Sequence, residues 1–526
     1  MSFIPGNSKS LARTVTLCSL FFLIGFGFVV TLFPLKPFWV DEWRIIYNLK
    51  SKDATALWGP LDLMQQFPRT YLQVFKAVTQ YFDYSYLSLR LPSLIVGTLT
   101  LVFGYRLLKR LFPGQPAHGY LFILILASSH TFVVYFVQVK QYTMDMFMSI
   151  LCLWQLLELL AVKRHSRLSG TYFLLCFSFI VAPFFSYSYP ILVAPVFAIG
   201  VLQTVFMSPF GGSKPMFVIR LWLPLLLCLV SLGAFYLLDV AQLMKDNGMK
   251  IFWESMMMQD GFRPLQFLRS LYLIFANTGN GALFEIIFGV TGLAAFYFSA
   301  RESVLHFKRC IEDPPAQVRL YALGLIIIII VLFVAGKLPI GEPRLICYAV
   351  PSIAILIIRL LRYLALHQRT AKFATGLTVV LFLGTVGNII NNPVKSITGK
   401  DYRKKFAIYN NVTAAIKKAQ EMRIPVFVTS AISFPDIKVI SFPLTDVRAD
   451  ILCFPAGYDT LADFIGYDDM PADWVVKTMP AYQLNMRTPV YAVDDISNAL
   501  LYLSKIPGGY PAAVAVNDTT FRMIRQ

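Results

Sequence analysis

Phe38-Trp39-Val40-Asp41-Glu42-Trp43-Arg44 decides the predicted fold, because this acidic stretch follows directly after the first hydrophobic segment. Two neighbouring carboxylates, with a tryptophan on either side, stand where the chain leaves the hydrocarbon. A charged group at the edge of a bilayer is costly to desolvate, so acids in this place indicate a function. Asp41 and Glu42 point in different directions on a helix or a strand, so one of them faces a given pocket more easily. The alternative is an ordinary pair of interfacial loop charges within an aromatic belt.

The composition is that of an integral membrane protein. Of the 526 residues, 57% are hydrophobic and 14% are charged, and the mean hydropathy is +0.62, whereas a soluble domain has roughly 25% charged residues. The formal net charge of +18 does not indicate nucleic-acid binding, because lysines and arginines stand at the ends of apolar segments, where membrane topology places them. Part of the excess charge is expected to meet anionic lipid head groups. The cysteines show no C-x-x-C spacing, so they indicate neither a disulfide framework nor a zinc site.

The apolar segments predict about 11 transmembrane helices, since a span needs about 20 apolar residues. The predicted spans are, approximately, 14–33, 91–108, 120–136, 142–162, two within 171–208, 221–238, 282–299, 320–335, 345–361 and 373–390. The break inside 171–208 is predicted at Phe185-Ser186-Tyr187-Ser188-Tyr189-Pro190. Every predicted inner loop is basic, so the N-terminus is expected in the cytoplasm. The membrane is expected to be a plasma membrane, in bacteria the inner membrane.

Two domains are expected. Residues 1–392 are predicted to form the transmembrane domain, with long outer loops at 35–90 and 239–280, and residues 393–526 a small α/β domain on the outer face. Within that tail, 424–428 and 512–516 are typical of buried strands, whereas 406–422 and 496–505 are typical of helices.

Charged residues at the outer ends of the predicted spans are candidates for phosphate binding. Lys140 lies at the outer end of the third span, and Asp145 lies about one turn into the fourth. A lysine supplies a point charge to a phosphate, while an arginine such as Arg344 binds it through two parallel hydrogen bonds. Arg69 and Arg90 are further basic residues of the outer loops. The alternative for Lys140 and Asp145 is an intramembrane ion pair that only fixes helix packing. The alternative for the arginines is that they snorkel to the membrane surface.

Four stretches, in this order, resemble the polyprenyl-phosphate-sugar glycosyltransferases of the GT-C superfamily. They are Asp41-Glu42 after the first span, Arg90-Leu91-Pro92-Ser93 with Gly97, Lys140-Gln141-Tyr142 with Asp145, and Glu342-Pro343-Arg344 with Pro351. The chain is most similar to the group of protein O-mannosyltransferases and lipid A aminoarabinose transferases, and is thus like glycosyltransferase family 39. It departs from them after Gln66-Phe67-Pro68, where many relatives have a second proline and a histidine and this chain has Arg69-Thr70.

The resemblance implies a membrane hexosyl- or pentosyltransferase. The donor would be a sugar on a polyprenyl phosphate at the outer leaflet, and the acceptor a hydroxyl of a lipid, a glycan or a protein. Asp41, with Glu42 beside it in the catalytic site, would take the proton of the acceptor hydroxyl, which attacks the anomeric carbon with inversion. The residues implied for the donor phosphate are Lys140, Arg344, Arg69 and Arg90, and those implied as support or as ligands of a divalent cation are Asp145 and Tyr142. Whether a metal takes part is left open.

Two other classes of protein compete with the enzyme. A transporter or flippase of a lipid-linked sugar is expected to show repeated halves and broken helices at the midplane, but the sequence contains no internal repeat. A non-catalytic membrane scaffold has no need of acids at the outer ends of its spans.

Overall fold

The computed structural model describes most of the chain as α-helix. The described residues are 40–61, 65–82, 86–115, 117–161, 170–206, 214–243, 264–276, 282–307, 310, 313–339, 343–398, 426–430, 451–455, 490–494, 512–517 and 520–524. The first predicted span, about 14–33, lies outside them. The chain divides into two compact units, one made of Met1–Phe33 and Phe67–Pro393 and the other of Pro34–Gln66 and Val394–Gln526. Each unit is described by itself.

The first unit is a helical bundle. Its helices are α2 Arg69–Tyr81, α3 Tyr86–Leu111, α4 Ala117–Ser128, α5 His130–Tyr135, α6 Tyr142–Ala161, α7 Gly170–Val181, α8 Tyr189–Phe206, α9 Lys214–Phe235, α10 Pro264–Ala276, α11 Ala282–Leu305, α12 Pro314–Val334, α13 Val350–Leu366 and α14 Ala371–Thr398; the second unit supplies α1, Val40–Ser51. Seven helices in the described part are long and apolar enough to cross a membrane. The protein is therefore a multi-pass helical membrane protein, as the composition predicts.

Helix α6 lies in the middle of the bundle. It is apolar around nearly its whole circumference and most of its side chains are buried, which is typical of a helix surrounded by other helices. Helix α3 approaches its neighbours closely through glycine. A Cβ atom on Gly97 would lie 2.2 Å from the ring of Phe136, and one on Gly104 would lie 2.2 Å from the ring of Phe122. Small residues of this kind let membrane helices pack without a side chain between them.

One predicted span is interrupted, and the predicted break between two other spans is present. The third, about 120–136, is divided into α4 and α5 at Ser129, whose hydroxyl caps the second helix by accepting a hydrogen bond of 3.4 Å from the main-chain N–H of Phe132. A serine favours such a cap over the interior of a helix. The segment 171–208 is broken where the sequence predicts: α7 continues as a 3₁₀ turn, Ala182–Phe185, and α8 begins at Tyr189.

The predicted outer loops contain helices. Within 35–90 lies α2, whose buried side chains Leu72, Phe75, Lys76 and Thr79 recur at helical spacing. Within 239–280 lies α10, an apolar helix. The tenth predicted span begins later than expected, because two 3₁₀ turns, Pro343–Leu345 and Cys347–Ala349, precede α13. Pro351 then stands in the first turn of that helix, where a missing N–H costs nothing.

The second unit contains α1 and a five-stranded mixed sheet. The strands are β1 Val426–Ser430, β2 Ile451–Pro455, β3 Val490–Asp494, β4 Ala512–Asn517 and β5 Thr520–Ile524, in the order β2-β1-β3-β5-β4. β1 is parallel to β2 and β3, and β5 is antiparallel to β3 and β4. β1 and β4 coincide with the two strands predicted from sequence. The predicted helices 406–422 and 496–505 lie outside the described residues.

Candidate functional site

A buried carboxylate, Asp145, stands at the centre of the polar residues of the first unit. It lies in the first turn of α6 and is 5% exposed. The hydroxyl of Ser186, from the break between α7 and α8, donates a short hydrogen bond to its Oδ1. A buried acid needs such a partner, because burial without hydrogen bonds is costly for a charge. The break thus supplies a donor to the helix on which the predicted site depends.

Tyrosines from three segments lie in the neighbourhood of Asp145. Tyr71 of α2, Tyr187 of the break and Tyr348 of the second 3₁₀ turn are each close enough to feel its charge, as is the thiol of Cys347. Burial raises the pKa of Tyr71 above its usual value, and the charge of Asp145 raises it further. Tyr71 therefore keeps its proton and remains a hydrogen-bond donor.

Some of these donors have no hydrogen-bond partner among the described residues. The hydroxyls of Tyr71 and Tyr348 are buried and have no partner at hydrogen-bond distance in the described part of the chain, and the Ser93 side chain lies beside Tyr71. An unsatisfied buried hydroxyl is destabilising by about 1–3 kcal/mol. Such groups are expected where water or a ligand completes the site.

The turn before α6 brings the predicted lysine to the same place. Lys140 is buried at the end of this turn, and the turn is fixed to α3 by the hydroxyl of Ser93, which donates a 2.5 Å hydrogen bond to the carbonyl of Gln138. Arg90 is buried on α3, three residues before Ser93, so the two share one side of that helix.

The late proline-arginine motif also reaches the start of α6. The thiol of Cys347 donates to the carbonyl of Tyr142 at 3.5 Å, and Arg344, three residues earlier, is half-buried in the first 3₁₀ turn. The structure thus gathers Lys140, Tyr142 and Asp145 with the segments that carry Arg90 and Arg344. Glu342 lies outside the described residues.

Arg69 is placed differently from the other predicted phosphate ligands. It is 1% exposed, and its Nε lies 4.0 Å from Oδ1 of Asp239. Its Nη1 donates to the carbonyl of Phe67 at 3.0 Å. The hydroxyl of Tyr187 is within hydrogen-bond distance of both that carbonyl, at 3.0 Å, and Asp239 Oδ1, at 2.8 Å. Arg69 is therefore held in an internal polar network.

The sequence gives little reason to select Asp239. It follows the seventh predicted span directly and reads as the first charge of an outer loop. In the structure it lies in a π-helical turn, Tyr236–Val240, that continues α9. A π-turn inside a membrane helix often marks a functional site, but no sequence pattern shows where one will form.

Asp41 and Glu42 belong to the second unit. Both lie in the first turn of α1, where Asp41 is half-buried and Glu42 is 3% exposed. The two side chains thus differ in access, as expected of neighbours on a helix. Acids in a first turn also interact favourably with the helix dipole, so the position alone does not assign a role.

The described residues do not gather a set of three or more histidine, cysteine, aspartate or glutamate side chains fit to hold a metal ion. Asp145 receives a hydroxyl donor from Ser186 and further hydrogen bonds from Ser188, and tyrosines and a thiol lie near it. Hard divalent cations prefer six or more oxygen ligands, most of them carboxylates, carbonyls and waters. A cation bound through Asp145 would therefore take most of its oxygen ligands from water or phosphate, and its presence stays a prediction.

Comparison with known proteins identifies the architecture. No family model and no curated protein matches the sequence. Two solved structures match nearly the whole chain: ArnT from Cupriavidus metallidurans in the apo state, with 13% identity, a TM-score of 0.57 and 98% of both chains covered, and the same ArnT bound to undecaprenyl phosphate, with 11% identity, a TM-score of 0.60 and coverage of 96% of this chain and 97% of that one.

The chain shares its fold with ArnT. The likeness supports the multi-pass helical architecture that the sequence resemblance implies. With identities of 11–13%, it concerns the fold alone.

Proposed function

We propose that the protein is a membrane glycosyltransferase that moves a sugar from a polyprenyl-phosphate donor to an acceptor hydroxyl on the outer face of the membrane. The observation that carries this proposal is the whole-length likeness to ArnT, which was crystallised with undecaprenyl phosphate; the sequence resemblance to polyprenyl-phosphate-sugar glycosyltransferases points the same way. The buried side chains of Lys140 and Arg90 and the buried tyrosine hydroxyls near Asp145 support it, because cations and hydroxyl donors are the groups that bind a phosphate.

The proposal includes a number of membrane spans and an orientation in the membrane. We propose about 11 transmembrane helices in a plasma or bacterial inner membrane, with the N-terminus in the cytoplasm and the five-stranded sheet in an α/β domain outside the cell. The basic inner loops support this orientation, which would place the start of α6 and the end of α9 near the outer surface. A lipid-linked sugar in the outer leaflet would then reach the buried donors from the side of the bilayer.

The donor phosphate would be held by Lys140, Arg344, Arg90 and Arg69. Lysine contributes a point charge, whereas the arginines offer pairs of parallel N–H donors. The phosphate gains negative charge when the sugar leaves, so preorganised cations stabilise the transition state more than the ground state. Tyr142 and Asp145 would shape the site, with Asp145 orienting the hydroxyls around it.

Asp41 would be the general base. It would accept the proton of the acceptor hydroxyl as the oxygen attacks the anomeric carbon from the face opposite the phosphate. The bond between that carbon and the phosphate oxygen then breaks, its electron pair stays on the phosphate, and the configuration is inverted. Glu42, more deeply buried on the same helix, would support the base or the acceptor. No step of the transfer is assigned to a metal ion.

The test replaces Asp41 with Asn in the purified protein and measures release of polyprenyl phosphate from polyprenyl-phosphate-linked hexoses and pentoses. Loss of a general base lowers kcat by roughly 10²–10⁴-fold, while the affinity for polyprenyl phosphate and the thermal stability should persist. Asp53→Asn is the matched control, because Asp53 is exposed in the same unit and caps the 3₁₀ turn through Ala56 N–H at 2.7 Å. Retained transfer by D41N would defeat the assignment of the base. Translocation of the lipid-linked sugar in vesicles, without transfer by the wild type, would favour the flippase.

A further inference from the structure

Four residues form a closed polar ring at the start of α2. Asp239 Oδ2 accepts a 2.9 Å hydrogen bond from the main-chain N–H of Arg69, and Asp239 Oδ1 is within hydrogen-bond distance of the Tyr187 hydroxyl. The carbonyl of Phe67 faces both that hydroxyl and Arg69 Nη1. A tyrosine hydroxyl carries one proton, so it donates to one of its two acceptors at a time. We call this set the Arg69 ring.

Asp239 performs a task that the sequence next to α2 cannot perform. The first N–H groups of a helix lack partners within the helix and are usually capped by a preceding polar side chain. Here the preceding residue is Pro68, which has no side-chain oxygen. Asp239, 170 residues away, supplies the acceptor. A negative charge at this end of a helix is also favoured by the helix dipole.

The Arg69 guanidinium keeps spare donors inside the ring. A guanidinium has five N–H groups, and the side chain makes one hydrogen bond in the described part of the chain, from Nη1 to Phe67. Nε has no hydrogen-bond partner there, although the group is 1% exposed. A buried cation with unused donors is costly unless a further acceptor completes it.

The same break serves both buried acids. Ser186 donates to Asp145 on α6, while its neighbour Tyr187 bonds Asp239 at the end of α9. Burial raises the pKa of Tyr187 well above its usual value, and the charges of Asp239 and Asp145 add to this effect. Its hydroxyl therefore stays protonated and able to donate.

From this geometry we infer that Asp239 and Tyr187 are positioning residues that hold the Arg69 guanidinium toward the phosphate of the lipid-linked donor. The inference rests on the proposed function. Asp239 fixes the main chain of Arg69, the Tyr187 hydroxyl shares its one proton between Asp239 and the Phe67 carbonyl that restrains Nη1, and the unused N–H groups are left for the phosphate.

For Asp239→Asn, simple charge neutralisation and positioning predict opposite changes in the affinity for the phosphate. Asp239→Asn removes a negative charge beside Arg69 but keeps an oxygen that can accept the main-chain N–H. If the carboxylate did no more than neutralise the arginine, its loss would strengthen the attraction for an anion and tighten binding. If it positions the guanidinium, its loss weakens binding, because an arginine that is free to rotate must be ordered again by the ligand.

The experiment measures the Kd for polyprenyl phosphate and the thermal stability of the full-length protein in detergent. Charge-assisted hydrogen bonds are worth roughly ten- to a hundredfold in binding, so Arg69→Met should raise Kd by that factor. Asp239→Asn should raise it roughly tenfold and Tyr187→Phe severalfold, since Phe removes only the hydroxyl. Asp239→Glu should restore part of the affinity. In the Arg69→Met background, Asp239→Asn should have less than about a twofold further effect on Kd, because it acts through the missing guanidinium.

The stability measurement separates positioning from a merely structural role. A structural role for Asp239 would lower the unfolding temperature to the same extent with or without Arg69, and would not predict that the loss of affinity disappears in the Arg69→Met background. Glu302→Gln, which breaks a different ion pair with Arg319, is the matched control: it should lower the stability and leave Kd unchanged.

The outcomes are distinct. An unchanged or smaller Kd for Asp239→Asn, or an equal loss of affinity in the presence and absence of Arg69, overturns the inference and leaves the proposed function intact. A wild-type protein that binds no polyprenyl phosphate overturns the proposed function, and the inference with it. If Asp239→Asn does not fold, Tyr187→Phe and its combination with Arg69→Met decide the question.

Discussion

Glu302→Gln should destabilise the bundle, because it leaves two arginines without their shared counter-charge. Glu302 on α11 forms ion pairs with Arg319 on α12 and Arg359 on α13, the latter at 3.4 Å. Arg319 also donates to the sulfur of Cys310 at 3.0 Å, and Arg359 donates to the carbonyl of Pro315 at 2.9 Å. One carboxylate thus joins three helices.

The expected magnitude follows from distance and burial. Two unit charges 4 Å apart attract by about 4 kcal/mol at an effective dielectric constant of 20, and breaking a fully buried pair costs roughly 3–5 kcal/mol. The Arg319 side chain is 2% exposed, but that of Glu302 is 32% exposed, so water screens part of the interaction. We therefore expect a loss of about 1–3 kcal/mol in the free energy of unfolding.

The assay is unfolding of the purified protein in detergent, followed by tryptophan fluorescence under heating and under denaturant. A second variant tests the mechanism. Arg319→Met combined with Glu302→Gln should recover part of the loss, since the deeply buried charge that lost its partner is removed as well. Stability of Glu302→Gln equal to the wild type, or a double variant whose loss is the sum of the single losses, would refute this reasoning.

Two further substitutions probe the packing that supports the site. Gly104→Ala should lower the free energy of unfolding by about 1–3 kcal/mol, because the new Cβ would lie 2.2 Å from a buried phenylalanine ring. The control in thermal unfolding is Gly376→Ala, whose Cβ meets nothing within 4 Å. Equal stability of the two variants would count against the close packing. Ser93→Ala removes the hydrogen bond to the Gln138 carbonyl. If that bond, worth roughly 1 kcal/mol, holds the turn in its binding arrangement, polyprenyl-phosphate binding should weaken by about fivefold. Thr98→Ala, on an exposed face of the same helix, is the control, and an equal Kd for both variants would contradict the role of the turn.

Much of the bundle is predictable because hydrophobic length is a local property. The predicted span 142–162 matches α6, Tyr142–Ala161, and the break at Ser186–Ser188 is visible as a polar interruption. The division of the third span at Ser129 was not predicted, because a serine within an apolar run is compatible with a continuous helix. Only the neighbouring helices decide whether its hydroxyl becomes a cap.

The site is predictable in part for a similar reason. Lys140, Tyr142 and Asp145 lie within six residues of one another, so their proximity follows from the sequence. Asp239 was missed because its partner, Arg69, is 170 residues away, and hydropathy contains no information about such a pairing. The helices within the predicted outer loops were missed because a search for apolar segments of spanning length passes over short amphipathic helices. The roles of Asp41 and Glu42 in catalysis remain predictions.

The π-helical turn Tyr236–Val240 sets the direction in which the side chains at the end of α9 point around the helix axis. Each residue advances an α-helix by about 100°, and a π-turn accommodates one residue more than an α-turn. If the same five residues wound as a regular α-helix, the end of this segment would be displaced by one residue, a rotation of about 100°, and the carboxylate of Asp239 would turn away from the start of α2. The direction of the Asp239 carboxylate therefore depends on the length of this short segment more than on the identity of its leucines.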